Sequence, residues 1–141
     1  MKALPSHARR RWPLWAALGS VALLVSTVML AVSLSSDRRR LKVAEAMTGG
    51  DAKRAPALIA RYGCGGCHTI PAIRGADGKV AAPLDHLRER VYIAGGVLLN
   101  TPENLVSWIV APEAYQPNAA MPRTGINAQE ARHVAAFLYA Q

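Results

Sequence analysis

The residues with the most chemical reach in this 141-residue chain are five consecutive ones, Cys64-Gly65-Gly66-Cys67-His68. They hold both cysteines of the sequence and one of its four histidines. Two thiols three residues apart on a helical turn can add to the two vinyl groups of one haem, and the next residue then turns its imidazole to the iron. Gly65 and Gly66 let the backbone pass close to a porphyrin, where a Cβ would crowd it. Three other uses compete. A dithiol redox protein needs strands alternating with helices, and strand signals are nearly absent. A zinc site needs a fourth ligand from His86 or His133, and the adjacent Cys67 and His68 do not easily reach one tetrahedral ion together. A plain disulfide is the third. The spacing favours one covalent haem c per chain.

An iron held by His68 has a second axial position, whose occupant separates electron transfer from ligand binding. Met1 and Met29 lie before or inside an apolar span and Met47 lies upstream of the folded part, which leaves Met121, His86 and His133. Met121 sits in a small-residue loop, Pro117-Asn118-Ala119-Ala120, followed by Pro122, which would otherwise leave it exposed. It is the expected ligand. His133, on the last helix, is expected to be partly exposed, and His86 to be solvated in a loop. With His68 and Met121 as metal ligands the iron has no open site. The protein then carries single electrons, is no enzyme by itself and needs no small-molecule substrate. If Met121 does not ligate, a gas sensor or a small peroxidase-like enzyme is the alternative.

The rest of the sequence must position this site. Residues 12–34 form a run of 23 residues with no ionisable group, about 34 Å as a helix against a hydrocarbon core of about 30 Å. This is read as a transmembrane signal anchor, with Trp12 and Trp15 at one interface. A cleaved signal peptide with Ala31-Val32-Ser33 as its cleavage site is the alternative. The formal charge of +8 is concentrated beside this run, in Arg9 to Arg11 before it and Arg38, Arg39, Arg40 and Lys42 after it. Residues 43–141 carry nine basic against eight acidic groups. A nucleic-acid reader needs its basic face on the folded part, so no nucleic-acid partner is expected. Two cysteines exclude a multi-bridge secreted scaffold. Because haem is attached to such a motif outside the cytoplasm, residues 1–11 are read as cytoplasmic and the C-terminal part as periplasmic at a bacterial inner membrane. Arg38 to Arg40 then lie outside, against the positive-inside tendency.

Residues 35–50 read as a polar, basic connector and 51–141 as one domain. A first helix is expected before Cys64, starting near Pro56 and carrying Leu58, Ile59 and Tyr62, with Gly63 ending it. From Thr69 to about Gly96 the chain reads as loop, with a helical turn near Asp85 to Arg90. Thr101-Pro102-Glu103 opens a second helix with Leu105, Trp108 and Ile109 on one face, and Pro112 stops it. Asn127, three residues before Glu130, opens the last, with Ala131, Val134, Ala135 and Leu138 facing inward. Three short helices joined by long loops bury little of their own surface, so a bound group is expected to complete the core.

Residues 50–141 resemble a class I cytochrome c. The likeness rests on Gly50-Asp51 and Arg54, on Tyr62-Gly63 before the five-residue motif, on Ala82-Pro83-Leu84, Arg90 and Tyr92-Ile93-Ala94-Gly95, on Asn100 to Leu105, on Ala120-Met121-Pro122, and on Ala135 to Tyr139. In closer detail it is similar to small membrane-anchored monohaem cytochromes of bacterial respiratory chains. The resemblance implies an all-α, class I cytochrome c-like domain of three main helices and loops around one haem, behind a transmembrane helix. It implies that the first and last helices cross, that the Pro83 carbonyl meets the axial histidine's other nitrogen, that Arg90 approaches a haem propionate and that Trp108 lines the pocket. It also implies membrane partners, with a quinol-oxidising complex or dehydrogenase as donor and a terminal oxidase as acceptor. Relatives often carry a glycine near Ala55 or Pro56, and Pro56 is expected to shift the helix start and loosen the crossing.

Overall fold

The computed structural model describes residues 12–141. The basic N-terminus, 1–11, and the side chain of Trp12 lie outside the described residues. The chain divides into a unit that ends at Asp37 and a second unit, Arg38–Gln141.

Helix α1, Trp12–Thr48, contains the whole uncharged run. Its apolar side chains from Trp15 to Leu34 are exposed, with Trp15 72% and Leu24 66% accessible. Its most apolar window has a mean hydropathy of 2.2, and it is long and apolar enough to cross a membrane. Several hydroxyls on it are internally satisfied: Ser20 donates to the Ala16 carbonyl at 2.7 Å and Ser26 to that of Ala22 at 2.9 Å. In hydrocarbon, where water cannot serve, such partners are required.

Segment 35–50, expected as a connector ahead of a domain at 51, is helical as far as Thr48, and the second unit already starts at Arg38. Ala44 and Thr48, one turn apart, are buried at 2% and 0% exposure. The basic residues hide this spacing in the sequence. Gly49 ends the helix at φ 67°, the left-handed position that favours glycine. At Gly50 a Cβ would lie 2.1 Å from the Arg132 carbonyl oxygen, so backbone meets backbone there.

Asp51 caps a short 3₁₀ turn, Ala52–Arg54, that leads into helix α2, Ala55–Arg61. Pro56 occupies the first turn of α2 and is exposed. Ala55, fully buried, is the residue of this segment that enters the core. Helix α3, Pro102–Val110, is capped by Thr101, whose side chain accepts the Asn104 N–H. Helix α4, Ala128–Ala140, opens on a capping box between Asn127 and Glu130. It packs on both α2 and α3, and Ala131 and Ala135 are fully buried.

One departure from the all-helical expectation is a small antiparallel hairpin, β1 Tyr92–Ile93 and β2 Leu98–Leu99, with Tyr92 opposite Leu99. Two-residue strands are too short to show alternation, so the sequence could not announce them. The resulting second unit is a mainly helical domain in which long loops run between Arg61 and Pro102.

Candidate functional site

The five-residue motif begins where α2 ends. Gly63, at φ 70°, turns the chain out of the helix, and Cys64–Gly66 forms a 3₁₀ turn. The amides of Cys67 and His68 both donate to the Cys64 carbonyl, at 3.3 and 3.0 Å. Cys64, Cys67 and His68 therefore share one tight turn, and both thiols are free. Cys64 is half-buried and Cys67 exposed. Burial pushes the Cys64 thiol above its ordinary pKa. An attacking cysteine in a dithiol redox centre needs the opposite shift, so that use of the pair loses ground.

The following loop folds back over this turn through its backbone. The amides of Val80 and Ala81 both donate to the Cys67 carbonyl, at 3.1 and 3.0 Å, and Gly78 N–H donates to the Gly65 carbonyl at 3.0 Å. Thr69 adds a side-chain bond from Oγ1 to the Gly78 carbonyl at 2.8 Å. Glycine is required at two of these contacts. A Cβ on Gly65 would stand 2.8 Å from Ala76 Cα, and one on Gly78 would stand 2.6 Å from the Gly66 carbonyl. Gly65 is thus constrained by Ala76, a reason different from the porphyrin contact expected of it, whereas a Cβ on Gly66 would meet nothing within 4 Å.

His68 Nδ1 lies 2.7 Å from the Ala82 carbonyl oxygen. A carbonyl only accepts, so Nδ1 carries the proton and the neutral ring keeps its lone pair on Nε2, the form a metal ligand needs. The acceptor expected here was Pro83. It is the residue before it, because a proline forces its predecessor into extended backbone, and that aims the Ala82 carbonyl at the imidazole. The Pro83 carbonyl instead accepts from Arg90 Nη2, which also donates to the Asp85 carbonyl at 2.9 Å. One arm of the Arg90 guanidinium, expected on a haem propionate, thus closes the Pro83–Asp85 turn beside the histidine's acceptor.

Two residues that carry the resemblance but were given no part in the site extend this support. Asn100 Nδ2 donates to the carbonyls of Leu87 and Arg90, at 2.7 and 2.8 Å. Its Oδ1 accepts from Tyr139 Oη of α4 at 2.7 Å. Burial and the charge of Glu103 push the Tyr139 phenol up to about 12, so it remains a donor throughout the neutral range. A continuous set of contacts thereby runs from α4 through Asn100 and Arg90 to the turn next to Ala82. Asn100 next to a helix cap looks like ordinary loop polarity, and no local signal marks its partners.

The other axial candidates separate clearly. His133, expected to be partly exposed, is buried at 7% exposure. Its Nδ1 accepts the Asp51 N–H at 2.8 Å, and Arg54 Nη1 lies 3.4 Å from Nε2. Because Nδ1 holds the ring's lone pair for the Asp51 amide, Nε2 carries the proton and has nothing to offer a metal, and the ring serves to join α4 to the segment before α2. His86 is exposed, in a left-handed conformation, with Nδ1 3.6 Å from Glu89. Met121 stands half-buried in the loop between Tyr115 and Asn127. An ion pair between Arg123 and Glu113 ties that loop at its base. Trp108 is half-buried and packs against the core.

Among the described residues no three His, Cys, Asp or Glu side chains come close enough to hold a metal ion as a cluster, which leaves the zinc reading without a ligand set. The residues present do fit a haem: two free thiols on one turn, an imidazole with Nε2 available, and apolar side chains exposed on the loops and hairpin that follow, Val80, Val91, Tyr92 and Leu99 among them. No protein-family model matches this chain, and neither a curated protein nor a solved structure matches it.

Proposed function

We propose that this chain is a membrane-anchored c-type cytochrome with a class I cytochrome c-like domain, in which Cys64 and Cys67 attach one haem and His68 and Met121 ligate its iron. The observation that carries this reading is the hydrogen bond from His68 Nδ1 to the Ala82 carbonyl within the Cys-x-x-Cys-His turn. It supplies the tautomer and the fixed ring that a proximal ligand requires. Such a group, when bound, supplies a one-electron iron couple, which methionine ligation shifts to a relatively high potential.

The chain's own residues do the rest. The amides gathered on the Cys67 carbonyl hold the turn that carries both thiols. Arg90 and Asn100 hold the loop that offers Ala82 to His68. With the His133 lone pair given to the Asp51 amide and His86 turned to Glu89, Met121 is the remaining candidate for the far side of the iron. Two protein ligands leave no place for substrate, so the domain passes electrons and catalyses nothing alone. The apolar stretch of α1 holds it at a bacterial inner membrane with the domain in the periplasm. Tethering raises its effective concentration near membrane partners without any added contact. Those partners are a quinol-oxidising complex or dehydrogenase as donor and a terminal oxidase as acceptor.

Expression of the full chain alongside cytochrome c maturation machinery tests this. The expected product is a red membrane protein whose pigment stays with the polypeptide through acid-acetone extraction and whose ferrous form resists carbon monoxide. Colourless protein overturns the proposal, and rapid carbon monoxide binding overturns the Met121 assignment.

A further inference from the structure

Arg38, Arg39, Arg40 and Lys42 have no part in electron transfer, and in the proposed orientation they emerge on the translocated side, where basic residues beside a span are disfavoured. Two of them line a cleft. The end of α1 contributes Arg38, Leu41, Lys42 and Glu45, and the turn beyond it contributes Asp51 and Lys53, around a volume of about 430 Å³. This is within the usual range of small-molecule sites.

The charges in the cleft are not equivalent. Glu45 Oε1 accepts the Ala52 N–H at 3.2 Å and Asp51 Oδ1 accepts the Lys53 N–H at 3.0 Å. Each carboxylate is thereby oriented by one backbone amide. Arg38, Lys42 and Lys53 are exposed, and among the described residues their ammonium and guanidinium groups form no ion pair. The lining thus holds three cations outside ion-pair distance of any described acid against two carboxylates, a formal excess of one positive charge. Leu41, half-buried, gives the cleft one apolar wall. Its position along the chain selects the anion. Arg38 follows Leu34, the last residue of the uncharged run, by four residues, so it lies within about 14 Å of that run's end in any conformation. The headgroup layer begins there.

We propose that this cleft binds the phosphodiester headgroup of an anionic phospholipid, with Arg38, Lys42 and Lys53 around the phosphate and Leu41 against the glycerol. The inference rests on the proposed membrane span and is independent of the haem. It gives Arg38 and Lys42 a use on that side of the span.

The full chain, solubilised from membranes in mild detergent, is examined by native mass spectrometry for retained lipid. It is also titrated in nanodiscs of phosphatidylcholine with increasing phosphatidylglycerol. Anionic lipid should be retained in preference to neutral lipid. Each charge removed should weaken it about fivefold, so the R38Q/K42Q/K53Q variant should lose on the order of 100-fold. Arg88→Gln, an exposed cation elsewhere in the domain, should have no such effect. Equal retention by the triple variant, with its helical circular dichroism and melting unchanged, overturns the proposal. So does saturation of the cleft by inorganic phosphate at the same concentration as lipid, which would mark a free-anion site. Extraction of the protein by alkaline carbonate would instead overturn the membrane span itself, so the two failures are told apart.

Discussion

The two loops assigned to the two faces of the proposed haem are built differently. The turn of Cys64, Cys67 and His68 is enclosed by backbone hydrogen bonds from the loop at 69–84, with glycines at two contacts where no side chain fits. The loop of Met121 is tied at its base by Arg123 and Glu113, whose side chains are 63% and 42% exposed. Surface ion pairs of this kind contribute little, whereas backbone contacts without room for a methylene do not yield. The His68 side is therefore preorganised, and the Met121 side is the adaptable half of the site.

The predictions follow that contrast. The largest effect is expected from C64A/C67A, which removes the covalent attachment altogether: in-gel haem staining of the denatured protein should fall to background. Next is Gly78→Ala. Its Cβ meets backbone at 2.6 Å, and such overpacking costs about 1–3 kcal/mol or more. Urea denaturation should show that loss, while R123Q, on the Met121 side, should change stability by less than about 0.5 kcal/mol. Equal effects of the two would erase the contrast. Met121→Ala should leave the pigment attached yet open the iron to carbon monoxide, read from the reduced spectrum. Tyr139→Phe removes one hydrogen bond to Asn100 and should cost about 1 kcal/mol. A double cycle with Asn100→Ala would show whether the two act as one unit.

The smallest expected effect is a pH dependence at the start of α4. Glu130 is held below the usual carboxylate range by the hydrogen bond from Tyr62 and by the Asn127 amide. A carboxylate depressed in the folded state adds stability above its unfolded pKa of about 4.3, and that stability is lost as pH falls through the lower folded value. The stability gap between the wild type and Tyr62→Phe should therefore narrow below about pH 4, as followed by denaturation at a series of pH values. A gap that stays constant down to pH 2 would show that the hydroxyl acts without the charge.

Much of the fold was legible because its signals are local. Thr101-Pro102 and Asn127 with Glu130 open α3 and α4 where their spacing says, since a cap is settled within three residues. Gly63 ends α2 for the same reason. The hairpin at Tyr92 and Leu99 and the burial of Ala44 and Thr48 were not legible. The two-residue strands are too short to show alternation, and the burial of Thr48 depends on a partner as distant as Arg132 and is masked by the arginines around it. In the site, the five-residue motif was plain, but the supports were not. Asn100 and Tyr139 are 39 residues apart, and neither carries a mark of the other.

By itself, the sequence determined the uncharged run, the helix caps and the placing of two thiols and an imidazole within five residues, all properties of short windows of chain. Only the tertiary structure decided that Ala82 and not Pro83 meets His68, that Gly65 answers to Ala76, and that His133 is spent on Asp51. Each of those outcomes depends on which backbone groups come within about 3 Å after the chain has folded, a distance that spacing along the sequence does not encode.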